Sequence, residues 1–249
     1  MENGQNSSAD IQSLASLLQA MRSEQQGSEY ENKNMLKELF YANVFNSTIV
    51  NSPWWNYAVS PGNMAVGYPF LYMLYRVLDE VQPKHILELG LGQSSLMTTA
   101  YGSRFECDHT IVEHDGDWIE FFRKKLHGDN YSFFVPKLLQ REIEGNIVNM
   151  YDDISPVAKG KKYDLLIIDA PFGSENISRI DTLNYIPEIL CDDFILILHD
   201  AQRKGELNTI KMLENMLQED GISFAHGLYP GIAYTYVATS PGYRFMCTL

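Results

Sequence analysis

Cysteine is scarce in this chain: three in 249 residues, at 107, 191 and 247, an odd number with no metal-ligand spacing. That excludes a disulfide framework and a zinc cluster of the finger type, and reads as reduced thiols in the cytoplasm. Positive charge is also thin, with 19 Lys and Arg against 32 Asp and Glu and a formal net charge of −13. So acidic a chain excludes nucleic acid as its main partner, because phosphate contacts need a basic surface. A few local arginines could still serve an anionic small molecule. No window approaches the ~18 apolar residues of a membrane span. The opening residues 1–10 have neither the basic region nor the apolar run of a secretory signal. The expectation is a soluble, cytoplasmic protein with no membrane partner.

What is present is enough apolar residue, 45% of the chain, to bury one substantial core. Residues 1–50 read as a helical, partly flexible extension and 51–249 as one domain. In the extension, Ile11, Leu14, Leu17, Leu18 and Met21 recur at helical spacing behind a candidate N-cap, Asp10. That stripe has two places to dock, its own domain or a second subunit, so a homodimer is one expectation. A second helix is expected over 33–45 and a third from about Met64 to Val81. Between them lies a loop with Trp54, Trp55 and Tyr57, which with Tyr68 make a candidate aromatic lid.

From residue 85 the pattern alternates. Strands are expected at 85–89, 109–113, 131–135, 163–168 and 194–198, with helices near 94–101, 116–126, 139–150 and 179–190. A helix near 206–219 and strands near 222–226, 232–238 and 243–248 close the chain. Strands alternating with helices imply a parallel sheet. The expected fold is α/β and Rossmann-like: a seven-stranded, mostly parallel sheet with helices on both faces and a C-terminal β-hairpin, as class I methyltransferases use.

The run His85-Ile-Leu-Glu-Leu-Gly-Leu-Gly-Gln-Ser-Ser95 is a strand, a turn with two glycines, and a helix start. Gly90 and Gly92 let the backbone approach a ligand. Glu88 beside them would repel a pyrophosphate but favours the sulfonium and ammonium of S-adenosylmethionine (SAM). A dinucleotide fingerprint would also want glycine where Ser95 stands. The second strand ends in Glu113, 23 residues beyond Gly90 and suited to both ribose hydroxyls. Ser94 completes the expected donor loop, and Asp152, after the third strand, is placed to meet the adenine.

Ligands in a doubly wound sheet lie beyond the carboxyl ends of the strands. The fourth strand ends in Asp169, where methyl and acceptor should meet. The fifth ends in His199 and Asp200, with Arg203 close behind. His199 suits general-base work, and Arg179 and Arg203 are candidates to clamp a carboxylate. Asp169, His199 and Asp200 are also candidate ligands for a divalent cation, Mg²⁺ by the oxygen ligands or Mn²⁺ or Co²⁺ by the imidazole. His85, His109, His114, His127 and His226 read as structural or surface residues.

These segments resemble a known family. Ile86-Leu-Glu-Leu-Gly-Leu-Gly-Gln-Ser-Ser-Leu-Met97, Val112-Glu-His-Asp-Gly-Asp-Trp-Ile119, Asp169-Ala-Pro-Phe-Gly173 with Ser178-Arg179-Ile180, and His199-Asp-Ala-Gln-Arg203 occur in the order seen in plant glucuronoxylan 4-O-methyltransferases. The similarity spans roughly residues 84–210. It implies SAM-dependent O-methylation of a sugar hydroxyl, with Glu88, Gly90, Gly92 and Glu113 at the donor and Asp169, Arg179, His199, Asp200 and Arg203 at the active edge. Three positions depart from the family pattern: Glu88, Ala170 where a glycine is usual, and Ser178 likewise. The N-terminal extension lacks the Golgi anchor expected of the plant proteins, so the expectation is a soluble relative whose acceptor can differ from theirs. Two rival readings are an NAD-linked oxidoreductase or epimerase and a non-catalytic scaffold subunit. Glu88 and Ser95 weigh against the first. The polar strand ends weigh against the second.

Overall fold

A computed structural model describes residues 3–62 and 65–248, with side chains from residue 16 onward except 17 and 18. The chain opens with one helix, α1 (Asn3–Ile49). Two separate helices were expected here, and Asp10 lies inside the helix rather than capping it. The intervening Glu, Gln and Lys residues are good helix formers, Gln25 bonds Glu29 one turn on at 2.9 Å, and a single Gly27 costs only about 1 kcal/mol. Met21 is exposed, while the side chains of Ile11, Leu14, Leu17 and Leu18 lie outside the described residues. α2 (Tyr68–Arg76) continues into a wide π-type turn, Val77–Val81, and begins after its expected start at Met64, itself outside the described residues.

The Rossmann-like sheet holds seven strands. β1 (His85–Leu89), α3 (Gln93–Arg104), β2 (Asp108–Val112), α4 (Gly116–Arg123) and β3 (Ser132–Phe134) form its first half. Next come β4 (Leu138–Ile143), β5 (Asn146–Tyr151), the short α5 (Ser155–Ala158) and β6 (Tyr163–Ile168). β7 (Leu190–His199), α6 (Lys204–Glu219), β8 (Ala225–Tyr229) and β9 (Thr235–Thr239) close it. The strand order is β3-β2-β1-β6-β7-β9-β8, parallel except for β9 and β8, so the C-terminal hairpin is as expected. Successive residues face opposite layers. Ile86, Ile111, Ile167 and Ile195 pack with α1, α2 and α3, and Leu87, Val112, Leu166 and Leu196 pack toward α6.

Three expected elements take another form. Residues 139–150 are not a helix but the β4–β5 hairpin, a separate two-stranded sheet. Its turn residues Glu144 and Gly145 are both left-handed (φ 50° and 74°), as a two-residue hairpin turn requires. Residues 179–190 form a loop with one 3-10 turn, Leu183–Tyr185, and residues 241–247, beginning at Pro241, wind as 3-10 helix instead of a strand. No helix among the described residues is long and apolar enough to cross a membrane.

Candidate functional site

The chain passes from β1 to β2 and β3 on one side of β1, then returns to β6 on the other. The switch point lies at the carboxyl ends of β1 and β6, and a cleft of about 580 Å³ opens there. Gly90 forms its base with φ 104°. A Cβ there would come within 3.0 Å of the Ala170 side chain across the switch point. Gly92 is extended, and a Cβ on it would meet no atom within 4 Å, so the space beside it is open to a ligand.

Glu113 lines this cleft and is held by backbone amides. One oxygen accepts from the His114 and Asp115 N–H at 2.7 and 2.9 Å, the other from the Leu91 N–H at 3.2 Å. The Gly92 N–H donates to the Ser95 hydroxyl at 3.0 Å. Asp115 caps α4 through the Asp117 and Trp118 amides, and the Trp118 indole N–H donates to the Leu91 carbonyl at 2.7 Å. Trp118, Phe121, Phe172 and His114 thus form an aromatic rim beside Glu113 that the sequence reading missed. The signal was there: two of the four follow Glu113 within five residues.

Glu88 does not face the cleft. Wholly buried beneath α3, it accepts from Ser94 at 2.8 Å, Ser95 at 2.9 Å and Thr98 at 2.9 Å, with His109 Nε2 at 3.0 Å. Four partners satisfy a buried carboxylate that would otherwise be costly. This corrects the donor-site expectation for Glu88 and also for Ser94, whose hydroxyl is spent on it. Asp152 is likewise elsewhere, accepting from the Lys137 and Asp153 amides, each at 2.9 Å, at the base of the β4–β5 hairpin. The lid expectation also fails for the two tryptophans. Trp54 and Trp55 are buried, Trp54 stacks on Tyr75 at 5.1 Å, and its indole N–H donates to Asp79.

Across the cleft, Asp169, Arg179, His199, Asp200 and Arg203 converge as expected. Arg179 is the hub. Its Nη1 donates to the His199 carbonyl at 2.8 Å and lies 3.2 Å from Asp169, while Nη2 is 3.0 Å from Asp200. Both Arg179 and Asp200 are left-handed (φ 55° and 63°), a strain of about 1–3 kcal/mol apiece held by the ion pair between them. Arg179 is therefore committed to the protein and not available to clamp an acceptor. Arg203 binds Asp200 at 2.8 Å but is about half exposed and lines the cleft.

His199 Nδ1 lies 3.0 Å from Asp169. A carboxylate only accepts, so Nδ1 carries the proton, and in the neutral ring Nε2 keeps its lone pair. That Nε2 is buried and has no partner among the described residues. Burial alone would raise the Asp169 carboxyl, but His199, Arg179 and Arg203 outweigh it and hold it below the ordinary carboxylate range. Asp169, His199 and Asp200 do bring ligand atoms within 4.8 Å of one another. Yet the two carboxylates already contact two guanidinium groups, and a dication among them would face that fixed positive charge. The set does not fit a divalent metal.

No protein-family model matches this chain, and no curated protein does. Among solved structures, it is similar to a Staphylococcus aureus protein described as a caffeoyl-CoA O-methyltransferase, with 10% identity over 88% of this chain and 100% of that one (TM-score 0.45). It is similar to the plantazolicin methyltransferase BpumL in complex with SAH, with 14% identity over 87% and 98% of the two chains (TM-score 0.41). Spermidine synthase from Thermotoga maritima shares 15% identity over 68% and 59% (TM-score 0.43).

Proposed function

We propose that the protein is a SAM-dependent O-methyltransferase acting on a hydroxyl of a small acceptor, with a sugar acid as the leading candidate. One observation carries the donor half. Two amides of the glycine turn are already used inside the protein: Leu91 N–H by Glu113 and Gly92 N–H by Ser95. A cleft lined beside that turn by three carboxylates, Glu113, Asp115 and Asp169, suits a cationic donor better than an anionic one. SAM supplies an electrophilic methyl group when bound. Glu113 is positioned to accept the ribose hydroxyls, and the Trp118–Phe172 rim offers flat faces to a heterocycle.

On the other side, His199 Nε2 is the base that takes the acceptor's hydroxyl proton, with Asp169 holding the ring in the required tautomer. Arg203 is the cation available to orient an acidic acceptor. The sugar-acid reading rests on the motif resemblance together with that half-free guanidinium. Most of the rate enhancement would come from alignment of acceptor oxygen, methyl and sulfur in the cleft. Calorimetric titration with SAH, against an NAD control, tests the donor half. Micromolar SAH binding without an NAD response is expected, and the reverse result would replace this reading with a dinucleotide enzyme.

A further inference from the structure

On α1, residues 34, 38, 41 and 45 share one buried face. Tyr41 and Phe45 enter the core as expected of an apolar stripe, but the two preceding positions are Asn34 and Glu38. Glu38 is a buried carboxylate with no cationic partner among the described residues. It accepts instead from two backbone amides, Tyr68 N–H at 2.6 Å and Ile232 N–H at 3.1 Å. The first is the opening amide of α2, where the helix dipole favours an anion. Two glycines frame the carboxylate. A Cβ on Gly67 would come within 2.8 Å of one oxygen, and a Cβ on Gly231 would collide with the other and with Pro69.

Both gripped segments border the cleft. Val66 and Ala233, each beside a gripped segment, line it together with His199, Asp200 and Arg203. Phe70, in the first turn of the helix that Glu38 caps, packs edge-on against the His199 ring at 5.3 Å. Asn34, one turn before Glu38, accepts from the Tyr234 hydroxyl at 3.2 Å. Tyr234 in turn bonds Gln202 and Ala201, directly after Asp200.

We infer that α1 is a working part of the site: Glu38 is a positioning residue that sets the His199 ring through Phe70 and the acceptor wall through residues 230–234. The link to an acceptor rests on the methyltransferase reading. The link to His199 is geometric and stands apart from it.

The test uses the full chain with Glu38→Gln, Glu38→Ala and Phe70→Leu, read by residue-resolved amide exchange, His199 ring resonances and calorimetry with SAH. In Glu38→Ala, the Tyr68 and Ile232 amides should exchange about 10–100-fold faster, the loss of a hydrogen bond to a charged group. The Gly90 and Glu113 amides and SAH affinity should hold. The His199 resonances should move in the direction they take in Phe70→Leu. Glu38→Gln keeps one acceptor oxygen and the fold, and should release one segment more than the other. Unchanged amides and an unmoved His199 signal in both Glu38 variants would overturn the inference. So would exchange that rises evenly over the whole sheet, since Glu38 would then serve stability alone. If the parent bound no SAH, the donor reading would fall, while the exchange and resonance results would still decide the role of Glu38.

Discussion

On the β1–β2 side of the cleft most polar contacts run to backbone groups, whereas on the β6–β7 side they run mainly between charged side chains. The proposed donor half is a cradle of amides around Glu113, two from the residues that follow it and one from Leu91 on the neighbouring strand end. The proposed catalytic half is a network of Asp169, Arg179, His199, Asp200 and Arg203 gathered from separate segments. An amide cradle tolerates the loss of one side chain because the backbone remains in place. A buried charge network does not, since removing one member leaves its partners desolvated and unpaired.

That contrast can be broken most severely at His199. His199→Ala should lower methyl transfer from labelled SAM to a uronic acid acceptor about 10²–10⁴-fold, with SAH affinity kept within about twofold. Equal losses in both would mean that the halves do not work separately. Next, Arg179→Ala should destabilise the fold by about 3–5 kcal/mol in denaturant unfolding, and Arg179→Lys should rescue only part, because it cannot fork between Asp169 and Asp200. Glu113→Ala belongs to the other half. It should weaken SAH binding about 10–100-fold in calorimetry, with a smaller change in stability than at Arg179.

The subtlest test is of pH. Asp181, two residues beyond Arg179, accepts the Tyr151 amide at 2.7 Å, and its other oxygen has no partner among the described residues. Burial raises its carboxyl to about 6. The folded state then holds a proton that the unfolded chain releases near pH 4, so stability should fall between about pH 4 and pH 6 and level off above. Asp181→Asn should remove that slope and stabilise the neutral protein by about 1–3 kcal/mol in unfolding followed across pH. Asp169 acts oppositely. Its lowered carboxyl contributes stability above the ordinary range, which is lost as pH falls below about 4 through its folded value.

The strands that carry the site were legible because each is an apolar run ending in a polar residue, and β1, β2, β6 and β7 lie close to where the pattern put them. Glu113, Asp169, His199 and Asp200 were legible for the same reason, as strand ends reach the cleft by topology. Glu88 was misread because pattern alone does not say toward which layer a strand residue turns. Ser94, Ser95 and Thr98, hydroxyls grouped on one side of α3, were the available sign that it turns inward. The β4–β5 hairpin was read as helix although Gly145 sits between runs holding Ile143, Ile147 and Val148. Glu38 could not be read at all, since its contacts lie 30 and 194 residues away.

The segment 230–234, which brings Ala233 to the cleft, is the tip of an antiparallel hairpin, β8 to β9, whereas the glycine loop is the turn of a parallel crossover. Hairpin tips absorb insertions and deletions that a crossover turn does not. On the proposed function, acceptor preference would be modular, open to exchange by swapping one short loop while the glycine loop is kept. The one condition on such a swap is an amide left at the place of Ile232, within reach of Glu38.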